Sequence, residues 1–122
     1  MIYEIGNPSD KCFLEADDEK IAAACVLFLG DGQYFCINTE TGKQVPGTFF
    51  AFGGDPEKTW KEIHGIGLDE LFSNRENKIK IAECFESFRY AGTRTSLNNI
   101  GERAEKFAAS MRRGAQSQGG PR

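Results

Sequence analysis

The sequence predicts an α+β domain in which a small antiparallel β-sheet with a buried helix precedes a C-terminal antiparallel helical hairpin. Three observations lead to this class. Short strand-like segments separated by Gly, Pro and Asn turns fill the first half of the chain, a nearly all-apolar helical run interrupts them, and helical periodicity dominates the second half. The chain has 122 residues, which suits one domain. We expect a single domain over residues 1–113 and a tail over 114–122.

The composition is typical of a folded, water-soluble chain, with 39% hydrophobic and 27% charged residues. The longest apolar run, from Ile21 to Leu29, is too short to span a bilayer. The N-terminus lacks the basic and apolar regions of a signal peptide. We therefore expect a cytosolic protein that does not act in a membrane.

The cysteines are Cys12, Cys25, Cys36 and Cys84, and there is one histidine. No pair of cysteines has the spacing of a metal site. In a reducing cytosol they are most simply small core residues. We predict no metal and no cofactor.

Charge is distributed unevenly along the chain. Residues 1–88 carry 8 Lys and Arg against 16 Asp and Glu, whereas residues 89–122 carry 7 against 2. The formal net charge of −3 disfavours a general nucleic-acid binder, so DNA is not an expected partner. A basic end on an acidic body favours binding of a small anion, or pairing with the acidic region of a second copy.

The first half is predicted to contain two hairpins around a helix. Strand-like residues at 1–5 and 12–16 flank the turn cluster at 6–10. Asp17 is the predicted N-cap of a helix that is apolar on nearly all sides and ends at Gly30. The second hairpin joins residues 34–37 to Gln44 and Val45.

A phenylalanine-rich strand from Thr48 to Phe52 comes next and has the strongest strand signal of the chain. Gly53 and Gly54 follow it. They favour a plain turn, with a phosphate-binding loop as the less favoured interpretation because the spacing fits neither a P-loop nor a dinucleotide fingerprint. Asp55 as N-cap and Pro56 at the first helical position predict a short helix that closes at Gly65.

The second half is predicted to be helical. A short turn covers 68–72, and Ser73 with Glu76 predicts a capping box for a helix to about Tyr90, closed by Gly92. The last helix is expected to start between Thr93 and Ser96. An apolar seam at spacings of 3, 4, 3 and 4 predicts this helix, and its members are Leu97, Ile100, Ala104, Phe107 and Met111.

Catalysis is not favoured by these residues. His64 lies at a helix end, where an interaction with the helix dipole explains it better than a role as general base. None of the common hydrolase or metalloprotease motifs occurs. We expect a binding protein rather than an enzyme.

A binding site is predicted where aromatic, amide and cationic side chains follow one another on the last two helices. A nucleotide needs an aromatic face for its base, amides for the base edge and arginine for its phosphates. Phe85 and Phe88 have helical spacing that also suits the core, and we assign Phe88 to the ligand because it is nearer the turn. The predicted ligand-binding residues are Phe88, Arg89, Arg94, Asn98, Asn99 and Arg103.

Several blocks of the chain together resemble a family of small phage proteins. The blocks are residues 2–11 (IYEIGNPSDK), the acidic helix start at 17–18, the Phe-Gly-Gly at 52–54 and residues 96–104 (SLNNIGERA). On these blocks the chain resembles the phage-encoded Thoeris anti-defence sponge family. The first and last blocks are the specific ones.

The resemblance implies a function. Proteins of that family capture a cyclic ADP-ribose isomer made by a bacterial TIR enzyme and hold it uncleaved in pockets shared between subunits, and some also bind cyclic oligonucleotides. It implies action in the cytoplasm of an infected bacterial host, as a dimer or larger homo-oligomer. Asn98, Asn99 and Arg103, with Arg94 at the turn, are the contacts it implies. Asn99 and Asp31 depart from the family pattern, which bears on the contacts to ribose or phosphate.

Two other functions remain open at this point. An acidic protein that blocks a host defence complex, as some anti-CRISPR proteins do, would use residues 1–88 and retain no nucleotide. A nucleotide-degrading enzyme would turn the ligand over, whereas a sponge returns it intact.

Overall fold

The computed structural model describes residues 1–7, 10–30, 34–46, 48, 55–90 and 100–119. Its helices and strands follow one another in the order β1 (Ile2–Asn7), β2 (Asp10–Glu15), α1 (Glu19–Gly30), β3 (Phe35–Asn38), α2 (Pro56–His64), α3 (Leu68–Ser73), α4 (Arg75–Glu86), β4 (Arg89–Tyr90) and α5 (Ile100–Gly119). The α+β class is confirmed.

Within the described residues, the strands form one antiparallel sheet in the order β3-β1-β2-β4. The first hairpin is confirmed, with Tyr3 opposite Leu14 and Ile5 opposite Cys12. Side chains of a strand alternate between the two faces. One face is therefore buried, and it carries Tyr3, Ile5, Cys12, Leu14 and Cys36.

Helix α1 supplies the centre of the core, as its nearly all-apolar sequence predicts. Residues Ile21 to Leu27 are all buried. The helix contacts β1, β3, α4 and α5, which accounts for an apolar surface on nearly every side. It begins at Glu19 rather than at 17–18, and its start is capped by Asp18, whose carboxylate accepts from the N–H of Lys20 at 2.8 Å.

The four cysteines are free and buried, so their prediction as core residues is confirmed. Burial raises the pKa of the Cys25 and Cys36 thiols above the ordinary value. Thiols in this state are poor nucleophiles, since the thiolate is the reactive form.

The second hairpin is shorter than predicted. Gln44 forms an isolated bridge to Ile37, and the N–H of Val45 donates to the carbonyl of Cys36 at 2.8 Å. Thr48 is a buried bend residue. The rest of the predicted phenylalanine-rich strand, and Gly53 and Gly54, lie outside the described residues.

Two predictions for the helices after α2 are wrong. Ser73 ends α3, and Asn74 caps α4 instead, accepting from the N–H of Asn77 at 3.1 Å. Helix α4 also stops at Glu86 rather than near Tyr90, because Ser87 joins the sheet edge. Its hydroxyl oxygen accepts from the N–H of Glu15 at 2.7 Å, and β4 then pairs with β2.

Helices α4 and α5 form the predicted antiparallel hairpin. Arg75 at the start of α4 donates to the carbonyl of Ala115 near the end of α5, at 3.2 Å. Helix α5 continues through residues 114–119, which were predicted to be a tail. The buried Ala115 and its contact with Arg75 explain this extension. No helix in the described part of the chain is long and apolar enough to cross a membrane.

Candidate functional site

A cavity of about 460 Å³ lies where α4, β4 and α5 meet. This volume falls in the range of about 300–1,000 Å³ that small-molecule sites occupy. Alanines and aromatic rings form much of its wall, and charged side chains stand among them. Its lining residues are Phe85, Glu86, Phe88, Arg89, Tyr90, Gly101, Ala104, Glu105, Ala108 and Ala109. We call it the hairpin cavity.

Phe88 and Tyr90 give the hairpin cavity its aromatic wall. Their ring centroids are 5.0 Å apart at an interplanar angle of 85°, the edge-to-face geometry that aromatic pairs favour. Both rings are only partly buried, whereas Phe85 is 2% exposed and packs against Phe107. Phe85 is therefore a core residue, and Phe88 is the more accessible of the two phenylalanines.

Tyr90 is fixed by the first turn of α5. Its hydroxyl oxygen accepts from the N–H of Gly101 at 3.0 Å, one of the backbone donors that a helix start leaves without an intrahelical partner. A Cβ at Gly101 would lie 3.2 Å from that oxygen and 3.5 Å from Phe88 Cε1. The missing side chain thus lets both rings approach the helix.

Arg89 lines the hairpin cavity and also reaches over the sheet. Its guanidinium carbon lies 5.6 Å from the centroid of the Phe13 ring, and Nη1 lies 3.3 Å from Glu15 Oε2. The ion pair is about half exposed, so it is weak. Arg89 can exchange Glu15 for a bound anion at little cost.

Glu86 holds a fixed position at the rim of the hairpin cavity. Arg112 on α5 donates to both of its oxygens, at 2.7 Å and 3.0 Å. This hydrogen bonding lowers the pKa of the Glu86 carboxyl below its usual value. The charged groups that line the cavity are the carboxylates of Glu86 and Glu105 and the guanidinium of Arg89.

Arg103 points into a different part of the molecule. Its Nη2 donates to the carbonyl of Phe28 at 3.1 Å. It lines a separate cavity of about 400 Å³ together with Leu27, Phe28, Asp55, Pro56, Glu57 and Leu68. Of the six predicted ligand residues, the structure thus brings Phe88 and Arg89 to one cavity and Arg103 to another.

Arg94, Asn98 and Asn99 fall in residues 91–99, outside the described residues. Their part in a site stays a prediction. The residues on either side of that segment, Tyr90 and Ile100, are described. Tyr90 and Gly101, which follows Ile100, both line the hairpin cavity.

Glu86 and Glu105 line the cavity, although the sequence did not predict them as site residues. Glu86 pairs with a residue 26 positions away, and no local pattern signals such a partner. Glu105 is one of many acidic residues on predicted helices, and its place at the cavity follows only from how α5 lies on α4.

A third cavity, of about 380 Å³, lies by the chain start. Carboxylates dominate its polar lining, while Lys80 is its one lysine. The lining residues are Met1, Glu15, Ala16, Asp17, Asp18, Ile21, Lys80, Glu83, Cys84 and Ser87. We call it the acidic cavity.

His64 lies on α2, and it is half-buried. Its ring packs against Trp60 with centroids 4.5 Å apart. Its Nε2 lies 3.1 Å from the carbonyl oxygen of Pro46, to which the protonated nitrogen donates. These contacts give the ring a structural role in joining α2 to the segment before it.

Comparison of the chain with models of protein families, with curated proteins and with solved structures found no match.

Proposed function

We propose that this protein binds a small base-containing nucleotide and holds it without cleaving it. The observation that carries the proposal is the hairpin cavity, where the accessible rings of Phe88 and Tyr90 stand next to Arg89. Together with the resemblance to the sponge family, it favours a phage anti-defence protein that sequesters a cyclic ADP-ribose isomer and so blocks Thoeris-type immunity. Cyclic oligonucleotides are further candidate ligands.

The aromatic wall supports binding of a base. Stacking of a base on an aromatic side chain contributes roughly 1–3 kcal/mol as judged by alanine substitution. The wall is held from two sides, by the pairing of β4 with β2 and by the hydrogen bond from Gly101 to Tyr90. A preorganised wall loses little conformational entropy on binding.

Arg89 supports binding of the phosphates. The carboxylate that a ligand would have to displace from it is the half-exposed Glu15, and a phosphate offers a guanidinium two parallel hydrogen bonds. In this proposal Arg94, Asn98 and Asn99 complete the site from the segment that joins β4 to α5, and the ligand is shared with a second copy of the chain.

Isothermal titration of the purified protein with a cyclic ADP-ribose isomer tests the proposal. We expect saturable binding that weakens by roughly 1–3 kcal/mol in Phe88→Ala and by roughly 1.5–3 kcal/mol in Arg89→Ala. Lys58→Ala is the control, because Lys58 is an exposed cation on α2 that does not line the cavity and lies outside the basic C-terminal region. Arg103→Ala reports whether the ligand also uses the cavity by Phe28.

A flat titration with folded protein would remove this nucleotide from consideration, and cyclic oligonucleotides would be tried next. Heating the complex separates holding from turnover, since a sponge releases intact ligand and an enzyme releases products.

A protein-binding inhibitor is the second candidate function, and the acidic cavity favours it. Exposed Asp17, Asp18 and Glu83 surround that cavity and would attract a basic partner. This alternative predicts capture of a basic host defence protein that fails in Asp17→Asn/Asp18→Asn, with no retention of nucleotides.

A further inference from the structure

Glu86 contributes a carboxylate to the wall of the hairpin cavity, and an arginine holds this carboxylate in place. Glu86 is the last residue of α4 and lines the hairpin cavity. Arg112 binds both of its oxygens, at 2.7 Å and 3.0 Å. A bidentate pair of this kind fixes the plane of the carboxylate as well as its position.

The carboxylate of Glu86 retains acceptor capacity. An ionised carboxyl group has about four lone-pair sites, and Arg112 occupies two of them. The Glu86 side chain is 45% exposed, so a ligand in the cavity can reach it. Its ion pair with Arg112 contributes little to stability because it is exposed. The free lone pairs are available to donors inside the cavity.

The charges at this end of the cavity decide what kind of group can occupy it. Glu105 adds a second carboxylate to the lining of the same cavity, and like charges would repel a phosphate. Ala104 and Ala108 also line the cavity, and their small side chains are apolar. A neutral group with adjacent hydrogen-bond donors fits, while the phosphate must lie toward Arg89.

A ribose with both hydroxyls free is such a group. Its 2′ and 3′ hydroxyls are neighbouring donors that one carboxylate can accept together, as acidic residues do for ribose in dinucleotide-binding folds. The hydroxyls of a ribose attached to a base on Phe88 and Tyr90 would point away from those rings.

Resting on the proposed function, we infer that Glu86 is the specificity-determining residue of the hairpin cavity. It accepts hydrogen bonds from a ribose diol, and Arg112 positions it for that contact. The ligand class is therefore a ribonucleotide with at least one unsubstituted ribose diol. Deoxyribonucleotides, and ribose units substituted at both positions, bind this cavity more weakly.

The experiment is an NMR titration of the full ¹⁵N-labelled chain with adenosine and, separately, with 2′,3′-dideoxyadenosine. The changes in the backbone amide chemical shifts give the two affinities. We expect the wild type to bind adenosine about 10- to 100-fold more tightly, the ratio that hydrogen bonds to a charged acceptor confer. In Glu86→Gln we expect the ratio to fall at least about fivefold while dideoxyadenosine binds as before, because the amide offers one neutral acceptor instead of two charged ones.

Two further variants separate direct contact from positioning. Glu76→Gln is the matched control on the same helix, since Glu76 is exposed in the first turn of α4 and lines none of the three cavities, and its ratio should equal that of the wild type. Arg112→Gln should lower the ratio by an intermediate factor, because the carboxylate remains but its plane is no longer fixed.

The outcomes distinguish this inference from the proposed function. Equal affinities for the two nucleosides in the wild type, with shifts at Phe88 and Tyr90, would overturn the role of Glu86 and leave nucleotide binding intact. If neither nucleoside, nor a cyclic ADP-ribose isomer, nor a cyclic oligonucleotide shifts those residues, the proposed function fails and the inference fails with it.

Discussion

Gly101 and Tyr90 show how one missing side chain builds a wall of the hairpin cavity. The N–H of Gly101 donates to the Tyr90 hydroxyl oxygen at 3.0 Å, and a Cβ on Gly101 would lie only 3.2 Å from that oxygen. The group that comes close to this glycine is an aromatic ring of β4.

We predict that alanine substitutions at two glycines of the same helix change the free energy of unfolding by different amounts. Gly114→Ala should raise the free energy of unfolding by about 0.5–1 kcal/mol, because alanine is the better helix former and the new Cβ would meet only the flexible Lys78 side chain at 3.4 Å. Gly101→Ala should gain clearly less, since its Cβ would press on the Tyr90 hydroxyl at 3.2 Å. Chemical denaturation measures both, and equal gains would contradict this account of the wall.

His64 gives the protein a pH-dependent stability. Burial lowers the pKa of its ring below the ordinary value of 6.5, and the hydrogen bond to Pro46 opposes this shift only in part. At pH values between the pKa of His64 in the folded protein and 6.5, its value in the unfolded chain, the unfolded chain binds more protons than the folded one. The contribution of the neutral His64 ring to stability is therefore complete above the pKa of the unfolded chain, and it is lost as the pH falls through the pKa of the folded protein.

The free energy of unfolding should accordingly decline as the pH falls below about 6.5, the ordinary pKa of histidine. His64 is the only histidine of the chain, so His64→Gln should flatten the decline. Urea denaturation at a series of pH values checks this. The same slope in the variant and the wild type would assign the pH dependence to another group.

At the scale of elements, α2 is the helix whose ends the sequence predicts correctly. Asp55 accepts from the N–H groups of Glu57 and Lys58 at 3.1 Å and 3.3 Å. Gly65 closes the helix with a φ of 78°, and its N–H donates to the carbonyl of Lys61. Both signals are local, since a cap needs only residues within one turn.

Asp55→Ala should lower the free energy of unfolding by about 1 kcal/mol, the usual loss at an N-cap. Asp55→Asn serves as the control, because asparagine caps about as well as aspartate. Thermal unfolding of the two variants measures the difference. A loss of equal size in Asp55→Asn would point to the charge of Asp55 rather than to its hydrogen bonds.

The end of α4 shows where local signals fail. Residues 87–90 continue the helical pattern, yet Ser87 bonds to Glu15 and β4 pairs with β2. An open edge of the sheet offers unpaired N–H and C=O groups, and pairing satisfies some of them. This switch from helix to strand moves Phe88 and Arg89 into the hairpin cavity.

At the scale of the whole molecule, the seam of α5 is largely covered within the chain. Ile100 and Ala104 are buried, and Phe107 packs against Phe28 and Phe85. The seam therefore gives no reason to expect association of two copies, whereas the uneven charge distribution does.

We still predict at least a dimer, formed by the basic C-terminal region of one copy and the acidic region of another. Sedimentation at micromolar concentration should give at least twice the chain mass of 13.5 kDa. The assembly should weaken near 1 M salt, where the screening length is only about 3 Å. A species of 13.5 kDa alone at low salt would defeat this prediction and leave the site within one chain.

The candidate site was partly predictable from the sequence. Phe88 and Arg89 adjoin each other in the chain and line one cavity. Arg103 was grouped with them because it follows on the next helix, yet it bonds to Phe28, 75 positions away. Its direction depends on how α5 rotates against its neighbours, and helix periodicity alone does not define that rotation.

The sequence by itself determined the first hairpin, the buried helix α1, the caps of α2 and the antiparallel pairing of the last two helices, because each depends on periodicity or on neighbours within a few residues. The tertiary structure alone decided β4, the pairing of Glu86 with Arg112 and the separation of Arg103 from Phe88. These contacts join residues 26 to 78 positions apart. They form because the sheet edge and the packed helices satisfy their polar groups together, which no single segment can do.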